Sequence, residues 1–77
     1  MLITIKYFGQ IAEVTQKAEE QIKIKANLIS ELLEVLYSKY EGLDAKDFQI
    51  AQNQELVELD TIVSGAEIAL LPPFAGG

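Results

Sequence analysis

The sequence ends in a segment that carries a reactive group, Pro72-Pro73-Phe74-Ala75-Gly76-Gly77, whose last residue bears the α-carboxylate. The prolines have a fixed φ and stiffen the start of the segment, whereas the glycines lack a Cβ and suit a narrow channel. If extended at ~3.3 Å each, the six residues beyond Leu71 would reach about 20 Å from the domain. We therefore predict that the carboxylate of Gly77 reacts inside another protein's active site, into which Pro72, Pro73, Phe74, Ala75 and Gly76 insert.

The carboxylate of Gly77 is a poor electrophile and needs activation, most simply by attacking the α-phosphate of ATP to form an acyl-adenylate. The chain has no arginine and no glycine-rich phosphate loop to bind ATP. We therefore expect no cofactor and no metal site of its own, and we expect a partner to supply both ATP and the activating machinery.

The absence of cysteine and histidine excludes several classes of site. Without these residues there are no disulfides, thiolate metal sites, cysteine nucleophiles or imidazole bases. The absence of cysteine also suits an activated carboxyl group, because an internal thiol would capture it as a thioester. Most hydrolase and metalloenzyme functions are therefore not expected.

The charge of the chain is acidic, with 12 Asp and Glu residues against six lysines and a net charge of −6. Arginine is the usual bidentate ligand of phosphate and guanine, so nucleic acid and anionic membranes are not expected as partners. A basic protein surface is favoured, although the charge alone also serves solubility. No secretory leader and no membrane-spanning apolar run is recognised, which predicts a cytoplasmic protein.

Apolar periodicity predicts one main helix and five strands. The helix covers residues 28–41, with Asn27 as N-cap and Gly42 just beyond its end. The strands are predicted at residues 2–8, 21–25, 48–52, 56–59 and 67–71, with a turn at Asn53-Gln54. The polar residues 13–21 are expected to form a long connection between the first two strands.

This order of elements predicts an α+β fold of the β-grasp, or ubiquitin-like, type. A mixed sheet of about five strands is covered on one face by the main helix, and the first and last strands lie parallel at its centre. A chain of 77 residues is long enough for one core only. The predicted domain is residues 1–71, followed by an extended tail at residues 72–77.

Strand alternation predicts an apolar patch on the outer face of the sheet. If Ile3, Ile5, Tyr7, Ile68 and Leu70 face the helix, Phe8 and Leu71 face away from it and Leu56 joins them. We define Phe8, Leu56 and Leu71 as the docking patch. Such exposed apolar groups on a small domain favour a partner interface, the alternative being an outer face that is apolar at scattered points.

The remaining polar and aromatic candidates are interpreted as structural. Tyr37 and Tyr40 lie on the apolar stripe of the helix and are predicted at the core or its edge. A solvated surface is predicted for the acidic residues Glu19, Glu20, Asp44, Asp47, Glu58 and Asp60.

The chain resembles the small subunit of molybdopterin synthase, a family of β-grasp sulfur carriers, over essentially its full length. The matching segments are Tyr7-Phe8-Gly9-Gln10-Ile11 with Glu13, Ala51-Gln52-Asn53-Gln54 with Leu56-Val57, and Ile68-Ala69-Leu70-Leu71-Pro72-Pro73-Phe74-Ala75-Gly76-Gly77. The last segment is the specific one. The sequence departs from the family pattern at Ala12, at Leu28 and at Leu70-Leu71, which affects details of contacts and not the tail.

The resemblance implies a set of partners and a reaction, in which this chain is a sulfur-donor subunit of an enzyme complex rather than an independent enzyme. A ubiquitin-activating-type adenylyltransferase uses ATP to adenylate Gly77, and a persulfide donor supplies the sulfur of a thiocarboxylate. The carrier then docks on the large synthase subunit and passes sulfur to a cyclic pterin phosphate precursor, building a dithiolene. In the family, two small subunits sit at opposite ends of a dimer of large subunits, a heterotetramer.

Two other functions remain open. A carrier for the thiamine thiazole, or a ubiquitin-like modifier that conjugates to lysine, has the same Gly-Gly end. The sequence before the glycines, Pro72-Pro73-Phe74-Ala75, favours the molybdopterin assignment. A β-grasp interaction module with an inert tail is the third hypothesis, and loss of Gly76 and Gly77 would leave only such a module functional.

Overall fold

The computed structural model describes residues 2–25, 27–64 and 67–73, which form five strands, two α-helices and a short 3₁₀ turn. The strands are β1 (Leu2–Tyr7), β2 (Glu19–Lys23), β3 (Gln49–Gln52), β4 (Glu55–Val57) and β5 (Glu67–Leu71). The helices are α1 (Gln10–Thr15) and α2 (Ile29–Lys39), and the 3₁₀ turn is Leu43–Ala45. The predicted tail residues Phe74, Ala75, Gly76 and Gly77 lie outside the described residues.

The strands form one mixed sheet in the order β2-β1-β5-β3-β4. The first and last strands, β1 and β5, pair in parallel, with Ile5 opposite Ile68, and the other neighbours pair antiparallel. The predicted α+β sheet, with its parallel pair of first and last strands, is therefore confirmed. This is the β-grasp fold.

The core lies between the sheet and α2, because both elements present apolar side chains at the period of their own structure. Every second residue of the central strands points toward the helix and is buried, and α2 contributes one apolar stripe. The side chains with the lowest exposure in these elements are Ile3, Ile5, Ile29, Leu32, Leu36, Ile68 and Leu70. The predicted inward face of β1 and β5 is thus confirmed.

The short helix α1 was not predicted and replaces the first part of the expected loop. Ile11 is buried and Val14 packs against the core, so one face of the helix is apolar. Six residues give too few turns for a helical period to stand out in the sequence. One consequence is that β2 begins at Glu19, two residues before the predicted start.

The ends of α2 also differ from the prediction. Leu28 is the N-cap instead of Asn27, and the Glu31 carboxylate accepts hydrogen bonds from the backbone N–H groups of both residues at 2.9 Å. Glutamate at the third helical position supplies half of a capping box, and leucine has no oxygen for the other half. The C-cap is Tyr40, and Gly42 (φ 92°) starts the 3₁₀ turn.

The predicted turn at Asn53-Gln54 is confirmed, and it links β3 to β4 with both residues in the left-handed region (φ 53° and 72°). The Asn53 side chain also reaches the start of β5. Its Oδ1 accepts from the Glu67 N–H at 3.2 Å, and its Nδ2 donates to Ser64 Oγ at 3.1 Å. This turn therefore helps to position the strand that leads into the tail.

Candidate functional site

The base of the tail lies where β1 and β5 end together. Their parallel pairing continues beyond the strands, since the Phe8 N–H donates to the Leu70 carbonyl oxygen at 3.2 Å. Pro72 is partly buried and Pro73 is exposed. A groove of about 410 Å³ surrounds these prolines, lined by the start of α1 and the segment 45–47. The fold thus delivers the tail between two elements at one edge of the sheet.

Gly9 is the residue of the β1–α1 connection that meets the tail. Its backbone has φ 59° and ψ −133°, a combination that side chains disfavour. A Cβ added to Gly9 would lie 3.2 Å from Cγ of Pro72. The tail therefore begins against a bare stretch of backbone.

The docking patch of Phe8, Leu56 and Leu71 is assembled around one depression on the outer face of the sheet. Phe8 is 44% and Leu56 63% exposed, and Leu71 is partly buried. The depression measures about 340 Å³. The structure brings all three predicted residues together, while their role at an interface remains a prediction.

Small side chains make this depression possible. Ala51 pairs with Leu56 on one neighbouring strand and with Ala69 on the other, so two alanines separate the exposed leucine from β1. At the β1 end, Lys6 and Glu67 form an ion pair of 3.3 Å. An apolar hollow with a charged border is the form of surface that buries an apolar side chain of a partner.

A polar cluster lies on the opposite, helix-facing side of the sheet and centres on Glu20 of β2. The Tyr7 hydroxyl donates to its carboxylate at 2.5 Å, and the Tyr40 hydroxyl donates to the same oxygen. Lys39 and Lys17 reach the other oxygen at 2.7 and 3.2 Å. We name these five residues the Glu20 cluster.

The Glu20 cluster shows that the predicted solvated surface is wrong at this position, because the Glu20 side chain is only 8% exposed. Glu20 lies opposite Ile5 and Ile22 opposite Ile3, so both share the inward face. Because the strand was predicted to begin at Gln21, Glu20 was assigned to the preceding loop and its inward position was missed. The predicted positions of Tyr37 and Tyr40 are confirmed, since both side chains pack at the edge of the core.

The electrostatics of the Glu20 cluster favour the ionised carboxylate. Burial alone raises the pKa of Glu20, but hydrogen bonds from Lys39, Tyr40, Tyr7 and Lys17 outweigh it and lower the pKa to about 2. Burial, and then the hydrogen bond to Glu20, raise the pKa of the Tyr7 hydroxyl. The cluster thus joins β1, β2 and α2 through one carboxylate that is ionised at neutral pH, and we interpret it as structural.

The described residues contain neither a metal-binding cluster nor a membrane-spanning helix. In residues 2–25, 27–64 and 67–73 no group of three or more Asp or Glu side chains is placed to hold a metal ion. Within the same part of the chain, no helix has the length and apolar character needed to cross a membrane.

The mixed five-stranded sheet with its main helix across one face is the fold of ubiquitin-like proteins. The sequence model of the ThiS family matches residues 5–77. The chain belongs to the ThiS family and has the ubiquitin-like fold found in sulfur carriers of this type.

Solved structures agree with this fold over nearly the whole chain. The putative molybdopterin converting factor subunit 1 of Pyrococcus furiosus has a TM-score of 0.85 at 20% identity, covering 94% of this chain and 97% of its own. SAMP1 of Haloferax volcanii has a TM-score of 0.81 at 20% identity, with full coverage of both chains. These two likenesses concern the fold.

A third similar structure is more closely related in sequence. It is a chain from the complex of subunits 1 and 2 of the molybdopterin-converting factor of Helicobacter pylori 26695. It is 33% identical to this chain over 100% of both chains, with a TM-score of 0.69.

Proposed function

We propose that this protein is the sulfur carrier subunit of molybdopterin synthase. The observation that carries the proposal is the 33% identity, over the full length of both chains, to a chain of the Helicobacter pylori molybdopterin-converting factor complex. The geometry supports it, because the docking patch and the base of the tail both adjoin the carboxyl end of β5. A partner that binds the patch also receives the tail.

The proposed chemistry takes place at Gly77. One carboxylate oxygen attacks the α-phosphorus of ATP, and pyrophosphate leaves. A protein persulfide then displaces AMP to give an acyl disulfide, and a thiol reduces this to the thiocarboxylate while itself forming a disulfide. The thiocarboxylate passes its sulfur to the cyclic pterin phosphate precursor, and water restores the carboxylate. Two such cycles complete one dithiolene.

The proposed partners divide the remaining work. The adenylyltransferase provides the ATP site, the persulfide enzyme provides the sulfur, and the large synthase subunit binds the pterin and receives the tail. The net charge of −6 favours partner surfaces that carry basic residues. We further propose that carrier and large subunit assemble as a heterotetramer, with one carrier at each end of the large-subunit dimer.

Modification of other proteins is the second candidate function. The structural likeness to SAMP1, named a small archaeal modifier protein in a second structure from the same organism, covers nearly the whole fold. A modifier uses the same adenylate but transfers Gly77 to a lysine amine, which forms an amide. The acceptor of the activated carboxyl group therefore separates the two functions.

The test of the proposed function is the intact mass of the chain before and after incubation with a cognate adenylyltransferase, ATP and a sulfide source. We expect a gain equal to exchange of one oxygen for sulfur, which fragmentation places on Gly77. An unchanged mass, with an enzyme that is competent on another carrier, would contradict the proposal. Amide-linked conjugates in place of the sulfur exchange would establish the modifier.

Replacement of Leu56 by lysine is expected to weaken binding to the large subunit. This side chain is the most exposed of the docking patch, and loss of a central apolar contact costs ~2 kcal/mol, which is roughly 30-fold in Kd. Isothermal titration with the purified large subunit measures the effect.

The matched control is Ile62→Lys, because Ile62 is also an exposed aliphatic residue, at 70%, and lies outside the depression. Its Kd is expected to change less than roughly 2-fold, since a charge at the rim of an interface has a small effect. Equal losses in the two variants would show that charge, and not the patch, governs binding.

A further inference from the structure

The close approach of Pro72 to Gly9 brings the end of the first strand near the base of the tail. Gly9 follows β1 directly, and Pro72 follows β5 directly, so the two parallel strands place them side by side. The 3.2 Å between a Cβ built on Gly9 and Cγ of Pro72 is tighter than ordinary van der Waals contact. Any side chain at position 9 would press on the ring.

The backbone at Gly9 has little freedom to move away from such a contact. The Gly9 carbonyl oxygen accepts from the Ala12 N–H at 3.1 Å, and the Phe8 carbonyl oxygen accepts from the Ile11 N–H at 3.1 Å. The Phe8 N–H is held in turn by Leu70. Because these bonds fix the β1–α1 connection on both sides, the ring of Pro72 is the partner that must shift.

A shift of the Pro72 ring changes the direction in which the chain leaves the sheet. Proline fixes φ, so the orientation of its ring and that of the backbone that follows are coupled. If fully extended at ~3.3 Å per residue, the five residues from Pro73 to Gly77 would span about 17 Å. The direction set at Pro72 therefore affects where the chain enters a partner.

We infer that Gly9 is a positioning residue whose bare backbone seats the ring of Pro72 and so sets the direction of the tail toward a partner's active site. The inference rests on the proposed function, because a direction matters only if Gly77 reacts. Gly9 acts through Pro72 and touches no reacting atom. A side chain at position 9 leaves the docking patch in place and misdirects the tail.

The test compares Gly9→Ala with Gly42→Ala. Both glycines have positive φ, 59° and 92°, so alanine strains the backbone at each position, but a Cβ at Gly42 meets no atom within 4 Å. Both variants strain the backbone, more at Gly9 (φ 59°, ψ −133°) than at Gly42 (φ 92°, ψ −11°), and only Gly9→Ala adds a contact with Pro72. The double-mutant cycle below separates the contact from the extra strain. Urea unfolding records the stability of each variant, so that every assay is run where it is folded.

Kinetics of adenylation and of sulfur transfer provide the first readout. We expect Gly9→Ala to lower kcat roughly 10-fold, since a misplacement of about 1 Å at a reacting group has effects of this order or larger. KM and the Kd for the large subunit are expected to change less than 2-fold, since the docking patch is intact. Gly42→Ala is expected to leave kcat and KM within 2-fold of the parent.

A double-mutant cycle with Pro72→Ala isolates the contact, because alanine has no Cγ for the new methyl group to meet. In the Pro72→Ala background, the additional Gly9→Ala change is expected to alter kcat less than 2-fold. An equal loss of kcat in both backgrounds would overturn the inference and assign the effect of Gly9→Ala to backbone strain alone.

Nuclear magnetic resonance provides a readout that needs no activity. In the parent, nuclear Overhauser effects are expected between the Hα atoms of Gly9 and the ring of Pro72. The residual dipolar couplings of Pro73 and Phe74 are expected to change in Gly9→Ala and to stay the same in Gly42→Ala. Unchanged couplings would overturn the inference. If the parent chain forms no adenylate, the proposed function fails, whereas these couplings still decide whether Gly9 directs the tail.

Discussion

Removal of Gly76 and Gly77 is expected to abolish formation of both the adenylate and the thiocarboxylate. The truncated chain still ends in a carboxylate, on Ala75, but this lies two residues, or ~7 Å, short of the original end. The new terminal residue also carries a Cβ, which a channel shaped for glycine excludes. A loss of at least roughly 10²-fold in sulfur transfer follows from misplacement alone.

The truncation is expected to leave the fold and the docking unchanged. The core, from Ile3 to Leu70, and the docking patch, which ends at Leu71, lie before the deleted residues. Thermal unfolding and the Kd for the large subunit are therefore expected to match the parent, and sulfur transfer by the purified complex is the measured activity. Retained function of the truncated chain would support the interaction module with an inert tail.

A full-length chain with a C-terminal amide is the matched control for length. It keeps every residue and replaces only the carboxylate of Gly77 by a group that does not attack ATP. We expect the amide to be as inactive as the truncated chain while it binds the large subunit normally. Activity of the amide would contradict a reaction at Gly77, whatever the truncation showed.

Elements that carry a repeating apolar pattern were predicted correctly from the sequence. Alternation along β1 and β5 identified Ile5 and Ile68 as inward residues and Phe8 and Leu71 as outward ones, because side chains of a strand alternate strictly between the two faces. The register between strands cannot be obtained from alternation within each one. The sequence offered Leu56 as a further member of the docking patch, but only the strand order shows that Ala51 and Ala69 lie between it and β1.

Features that depend on a single residue or a single turn were missed. Helix α1 is too short for a periodic signal, and the two-residue error at the start of β2 reversed the apparent environment of Glu20. The close approach of Pro72 to Gly9 involves residues 63 positions apart (72 − 9) in the chain, so no local pattern encodes it. The only local sign was a glycine directly after the first predicted strand.

Replacement of Glu20 by glutamine is expected to lower the free energy of unfolding by about 2 kcal/mol at pH 7, since hydrogen bonds to a charged group contribute ~1.5–3 kcal/mol. Glutamine has nearly the same shape but removes the charge that Lys17 and Lys39 neutralise, and its amide group faces hydroxyl donors. For a domain of this size the melting temperature would fall by roughly 8–16 °C. Glu19→Gln is the control, because Glu19 is exposed on the same strand.

The pH dependence of the free energy of unfolding tests whether the charge of Glu20 stabilises the fold. The pKa of Glu20 is about 2 in the folded protein against an ordinary value of 4.5, so folding favours the ionised form. The resulting stabilisation is fully present above pH 4.5 and is lost as the pH falls from 4.5 to about 2. Urea unfolding of the parent and of Glu20→Gln is therefore expected to differ most at neutral pH and to converge across this window. A difference in stability that stays constant down to pH 2 would show that Glu20 contributes through its shape and packing, and that its charge contributes nothing.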